Sequence, residues 1–142
     1  MIDLKNANKK LVELIFFALD HGIDSVKSGN PLIPFVVAET DGKKTLNRFV
    51  PGDFSKMEEC LQKAQEYITK LNPLPDFIAI TFDGRVTIQG EKTDAIMVRG
   101  FDKTQAEGFV FGQRYKPKAF LRKFSTIGNA GYLGNEPNPM KK

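Results

Sequence analysis

Residues 76–116 are short runs of β-branched and aromatic residues separated by turn residues. This pattern is typical of antiparallel strands joined by tight turns. Asp83-Gly84 lies between two of the runs, and these residue types best tolerate the positive φ angles of a type I′ turn. We therefore predict that the chain turns at Asp83-Gly84 and that strands occupy residues 77–82, 85–89, 95–99 and 108–115.

A helix is predicted before this meander, at residues 4–19. Its apolar residues recur at intervals of three, four and seven positions, as they do on the buried face of an amphipathic helix. Asp3 is placed to cap its N-terminus, and Gly22 is placed to end it in a left-handed conformation. We expect residues 23–31 to form a loop.

A hairpin and a second helix follow. Asp41-Gly42 is another tight-turn signal, between strands predicted at 32–40 and 45–50. Ser55 and Glu58 form the pattern of a capping box, in which each side chain accepts a hydrogen bond from the backbone amide of the other residue. The apolar seam predicted for this second helix consists of Met57, Leu61, Ala64, Ile68 and Leu71, before Asn72-Pro73 stops it.

The predicted order of elements is α-β-β-α-β-β-β-β. It indicates an α+β fold, a single antiparallel sheet of five to six strands with two helices packed on it. In this order of elements the chain resembles profilin-like and roadblock-type domains, a resemblance that implies a dimerising or ligand-sensing platform. We predict one domain at residues 1–124 and a flexible or strapped-down tail at 125–142, with a short helix or edge segment at 118–124. The glycine-rich residues 128–134 lack the following helix that a phosphate-binding loop requires.

Composition excludes several classes of protein. With a single cysteine the chain forms no internal disulfide, and its charged N-terminal residues do not match an export signal. The longest apolar run is far shorter than the roughly 18 residues needed to cross a bilayer. We therefore expect a cytoplasmic protein that is not associated with a membrane.

His21 and Cys60 each have a structural interpretation. His21 is predicted in the last turn of the first helix, where a partly protonated imidazole favours the negative end of the helix dipole. Cys60 follows two glutamates on the second helix and is expected to be a small buried residue rather than a reactive thiol. One histidine and one cysteine cannot build a zinc site of nitrogen and sulfur ligands, so we predict neither metal nor cofactor.

Charged residues inside strands are the candidates for a polar site. Turn chemistry accounts for Asp41 and Asp83, because aspartate side chains bond to nearby amides in turns. Glu39, Arg48 and Arg99 have no such explanation. One hypothesis is an enzyme in which these three residues and Arg114 surround a pocket at the sheet.

Positive charge is concentrated near the C-terminus, where residues 113–142 contain seven Lys or Arg and one Glu. In residues 114–124 these cations alternate with Tyr115, Phe120 and Phe124, a mixture that suits nucleic-acid binding. Two alternatives are a lysine-protected sheet edge and a docking surface for an acidic protein or a second copy. The docking hypothesis uses as anchors Phe120, Leu121, Phe124, Ile127 and Tyr132.

We expect a non-catalytic interaction or ligand-binding module that forms a homodimer through a sheet edge or the first helix. There are two alternatives. One is an enzyme with a polar pocket at the sheet, and the other is a weak nucleic-acid binder acting through residues 114–124. No catalytic residue is assigned. The possible contacts with a ligand or partner are Glu39, Arg48, Arg99, Arg114, Lys116, Phe120, Arg122, Lys123 and Phe124.

Overall fold

A computed structural model describes residues 4–50 and 57–141 of the chain, and it contains one antiparallel sheet of six strands in the order β2-β1-β3-β4-β5-β6. The helices are α1 (Lys9–Val26) and α2 (Met57–Thr69), with a short 3-10 turn at Leu4–Asn6. The described elements confirm the predicted α+β class and its order. The strands are β1 (Phe35–Thr40), β2 (Lys43–Arg48), β3 (Phe77–Ile88), β4 (Glu91–Asp102), β5 (Glu107–Lys116) and β6 (Ser125–Pro137).

Helix α1 differs from its prediction at both ends. Asn8 is its N-cap, with the side-chain oxygen accepting a hydrogen bond of 2.9 Å from the Lys10 amide; Asp3 lies outside the described residues. Gly22 does not end the helix, so that prediction was wrong, and residues 23–26, predicted as loop, are helical. A Cβ atom at Gly22 would lie 2.8 Å from Cγ2 of Ile96, so glycine allows the close approach of helix and sheet.

The turn predicted at Asp83-Gly84 is also wrong. These residues lie inside β3, which pairs with β4 over twelve positions, and the turn is at Gln89-Gly90, with φ of 52° and 79°. Gly84 has a packing role instead, because a Cβ there would lie 2.9 Å from Cγ of Met97. The other predicted turn, at Asp41-Gly42, is confirmed, with φ of 51° and 78°.

The two helices cover opposite faces of the sheet. On one face, α1 packs on alternate residues such as Val37 and Ala79; on the other, Ala64 and Ile68 of α2 pack on Ile78. Strand β3 is buried on both faces from Phe77 to Thr81, which confirms its predicted central position. Ala64 and Ile68 confirm the predicted seam of α2, whereas Ser55 and the Met57 side chain are not described.

The C-terminal segment is part of the sheet. Residues 125–137, predicted to be in a tail, form strand β6 against β5, with two register irregularities. The chain then remains attached, because the buried Asn138 amide donates to the carbonyl oxygens of Asp102 (3.0 Å) and Gln105 (2.8 Å). Met140 lies in the core under α2.

Candidate functional site

The charged strand residues are divided between the two faces of the sheet. Glu39 and Arg48 are opposite Phe77 and Phe35 in the register, which places them on the α1 face; Arg99 and Arg114 lie on the other face. The sheet therefore lies between the pair Glu39 and Arg48 and the pair Arg99 and Arg114, so the four residues do not line one cavity.

Each of the two residues on the α1 face has a local partner. The buried Glu39 pairs with Nζ of Lys44 at 3.3 Å. Nη2 of Arg48 lies 2.8 Å from Nε2 of His21, whose ring packs edge-on against Phe35. His21 is more than a turn from the end of α1, so its predicted place in the last turn was wrong, although its contacts are structural.

Asp83 takes part in a polar pair across the sheet. Its carboxylate accepts a hydrogen bond of 2.8 Å from the Tyr115 hydroxyl. Burial raises the pKa of Asp83 above its ordinary value, and this outweighs the opposing effect of the Tyr115 hydrogen bond. Burial and the neighbouring Asp83 also raise the pKa of Tyr115. The turn predicted for Asp83 was wrong: its side chain forms a hydrogen bond from β3 to β5 across the intervening β4, which no pattern in the sequence indicates.

The connection between β5 and β6 contains an exposed tight turn. The short helix or edge segment predicted at residues 118–124 is therefore wrong. Ala119 and Arg122 exchange two backbone hydrogen bonds of 3.0 and 2.9 Å, and these enclose Phe120 and Leu121. Leu121 has a φ of 61°. The side chains of Phe120 and Leu121 are each 93% exposed. We call residues 116–124 the basic turn.

The cations of the basic turn are exposed. In the described part of the chain, Lys116, Lys118, Arg122 and Lys123 form no ion pair, although the Arg122 Nε donates to the Pro117 carbonyl at 3.1 Å. Phe124, in contrast, is half-buried and its ring centroid lies 5.5 Å from that of Tyr115. The basic turn thus has an apolar tip, a positively charged base and one anchored aromatic ring.

A groove of about 300 Å³ lies on the opposite face from α1, between α2, the sheet and the C-terminal segment. Its floor is formed by Ile68, Ile80 and Phe101, and Pro137 and Pro139 form one wall. Arg99 and Glu136 meet at this groove, with Arg99 Nε 3.7 Å from Glu136 Oε1. We call it the Arg99 groove.

Arg99 is a contact predicted from the sequence, whereas no pattern in the sequence predicts a groove around it. The wall residues Pro137 and Pro139 lie in the predicted tail, and Glu136 is the one acidic residue of residues 113–142. The two closely spaced prolines were the only signal, since they favour an extended chain able to lie across a surface. Long-range pairing of β6 is what brings them to Arg99.

The described residues contain no group of three His, Cys, Asp or Glu side chains arranged to hold a metal ion. Among the described helices, none is both long enough and apolar enough to span a membrane. No protein-family model, curated protein or solved structure matches this chain.

Proposed function

We propose that the chain is a non-catalytic interaction module that docks an acidic protein partner through the basic turn. The observation that carries the proposal is the exposure of Phe120 and Leu121 in a turn closed by two backbone hydrogen bonds. Full burial of such a side chain contributes about 1.5–3 kcal/mol. A partner with an apolar pocket gains this energy without first ordering a flexible loop.

The positive charges of the basic turn indicate which residues should surround the apolar pocket of the partner. Lys116, Lys118, Arg122 and Lys123 flank the apolar tip along the chain, without ion-pair partners among the described residues. Charge complementarity favours a partner with Asp and Glu around the pocket, and it raises the association rate. A second copy of this chain offering the same surface would bring like charges together, which disfavours self-docking through the turn.

The aromatic residues distinguish a protein partner from nucleic acid. Binding of a single strand requires several rings on which successive bases stack. Phe124 and Tyr115 pack on each other and belong to the α1-side core, so Phe120 is the one aromatic side chain of the segment presented at the tip. Of the other predicted anchors, Tyr132 packs on Phe109 and Phe111 of the α1 face, whereas Ile127 pairs with Arg114 of the other face. The apolar tip therefore consists of Phe120 and Leu121.

A peptide selection tests this proposal. A displayed library of 12-residue peptides would be selected against the full chain and against a Phe120→Ala/Leu121→Ala variant. We expect enriched peptides in which Asp and Glu flank a large apolar residue, and at least tenfold weaker binding to the variant, since loss of two anchors exceeds about 1.4 kcal/mol. Val50→Ala is the control, because Val50 is exposed but distant in sequence.

Three results would overturn the proposal. The first is equal binding of the enriched peptides to the chain and to the double variant. The second is an affinity that does not fall as salt rises from 50 to 300 mM, since exposed charge pairs are screened. The third is preferential binding to single-stranded RNA or to vesicles containing phosphatidylserine.

Homodimerisation stays a prediction. Strand pairing between copies is opposed at β2 by Lys43, Lys44 and Arg48 and at β6 by the two register irregularities. Helix α1 offers Phe16 and Phe17, which are 41% and 42% exposed. Light scattering on a size-exclusion column tests the dimer, and a monomer at tens of micromolar would contradict it.

A further inference from the structure

We propose that the Arg99 groove binds a small monocarboxylate with an apolar body. The groove has a volume of about 300 Å³. This is at the lower end of the range for ligand pockets, and at about 30 Å³ for each water-sized group it holds roughly ten non-hydrogen atoms. The ligand is therefore of the size of octanoate or a simple aromatic acid.

The Arg99 side chain is positioned but lacks a close acceptor. Its guanidinium lies over the Phe82 ring, 4.7 Å from the centroid. The Nε atom is buried and makes no hydrogen bond to a described residue, because Glu136 Oε1 at 3.7 Å is too distant. A planar guanidinium that is stacked on a ring and has free donors is the group that recognises a carboxylate through two parallel hydrogen bonds.

Glu136 occupies the direction from which the ligand's carboxylate would approach. Its side chain is 39% exposed, and without a close hydrogen bond to Arg99 it can turn into solvent. A ligand carboxylate would replace it and accept from Arg99 directly. Glu66 and Glu136 both line the groove, so a second negative charge on the ligand is repelled. This arrangement selects monocarboxylates over phosphate monoesters.

The apolar part of the groove accommodates the apolar body of the ligand, while Gln62, Gln65 and Thr69 of α2 add polar side chains to the lining. The buried side chains of Ile68, Ile80 and Phe101 form the floor, and Pro137 and Pro139 cover one side. These groups offer no hydrogen-bonding side chain, so an alkyl or aryl group gains by leaving water. We expect affinity to rise with chain length until the groove is full.

Calorimetric titration of the full chain tests this inference. The probes are butanoate, hexanoate, octanoate and decanoate, with octan-1-ol and octyl phosphate as comparators. We expect octanoate to bind most tightly of the six. Arg99→Met, which retains an unbranched apolar stem, should weaken octanoate binding at least tenfold, because hydrogen bonds to a charged group contribute about 1.5–3 kcal/mol.

Glu136→Gln should have the opposite effect to Arg99→Met. It removes the competing negative charge and should strengthen octanoate binding severalfold. Glu91→Gln is its control, as it makes the same change of charge at the β3–β4 turn. Amide shifts in labelled protein should move at Ile68, Ile80 and Phe101 on addition of octanoate. The Phe120→Ala/Leu121→Ala variant should bind octanoate normally, which separates this site from the proposed docking function.

The inference is wrong if the unaltered chain does not bind octanoate, or if octan-1-ol binds as tightly. It is also wrong if Glu136→Gln leaves the octanoate affinity unchanged, a result that stands even if Arg99→Met fails to fold.

Discussion

Asp83 shows how tertiary contacts change the role of a residue whose type suggests a turn. Its carboxylate is drawn into the sheet beside Tyr115, and burial raises its pKa. A raised pKa in the folded state means that folding favours the protonated acid. The cost of the charge is therefore fully present above the folded pKa, and it is relieved as the pH falls through that value towards the ordinary pKa of 3.8.

Asp83→Asn should accordingly stabilise the chain at pH 7, because the amide oxygen still accepts from Tyr115 and the buried charge is removed. The gain should shrink as the pH approaches 4. Thermal unfolding between pH 3.5 and 7.5 measures it, with the exposed Asp20→Asn as control. A variant that is less stable than the original at pH 7 would contradict the expected sign.

Gly108 is required for close packing between two neighbouring strands. A Cβ atom there would lie 2.2 Å from the Gly100 carbonyl oxygen and 2.3 Å from the Phe101 ring. The backbone cannot move aside as a flexible side chain can. Gly108→Ala should therefore lower the free energy of unfolding by about 1–3 kcal/mol.

Gly131→Ala is the matched control for that substitution. Gly131 lies in β6, and nothing is within 4 Å of the position that a Cβ atom would take there. Urea unfolding of the two variants compares them directly, and equal stability of the two would show that Gly108 is not crowded.

Strands β3 and β4 form a longer hairpin than their local sequence suggests. The twelve paired positions place Gln89 and Gly90 at the turn, where φ is positive at both. Glutamine is an uncommon residue in this conformation, whereas Asn-Gly is the preferred pair for such a turn. The hairpin therefore forms despite a poor turn residue, because its cross-strand pairs specify the register.

Gln89→Asn should stabilise the chain by about 0.5 kcal/mol, and Gly90→Ala should destabilise it by about 1–2 kcal/mol, because a Cβ is disfavoured at positive φ. Chemical denaturation of the two variants measures both effects. The register would be wrong if Gln89→Asn and Gly90→Ala left stability unchanged while the corresponding substitutions at Asp83-Gly84 changed it.

Across the whole molecule, residues 125–141 contribute to the sheet and its core. Tyr132 of β6 packs against Phe109 and Phe111, and Met140 lies in the core beside α2. Truncation would remove these contacts and expose the outer side of β5. The boundary predicted at residue 124 therefore falls within a region of continuous packing.

A chain that ends at residue 124 should unfold at a lower temperature than the full chain. It loses the burial of Met140, which by itself contributes about 1.5–3 kcal/mol. A chain ending at residue 141 is the control. Calorimetry and proton NMR on both truncated chains measure the loss. Equal unfolding temperatures would show that residues 125–141 add nothing to the domain.

The amino-acid sequence by itself determined the order of elements, the seam of α2, the turn at Asp41-Gly42 and the burial of Cys60. Those features follow from helical period, strand alternation and backbone preference, which act between neighbours in the chain. Only the tertiary structure decided that Asp83-Gly84 stays extended, that residues 125–137 form a strand, and that Arg99 meets Glu136 while Glu39 lies on the opposite face. These outcomes depend on the register between distant strands, where many cross-strand contacts together outweigh a local turn or tail preference.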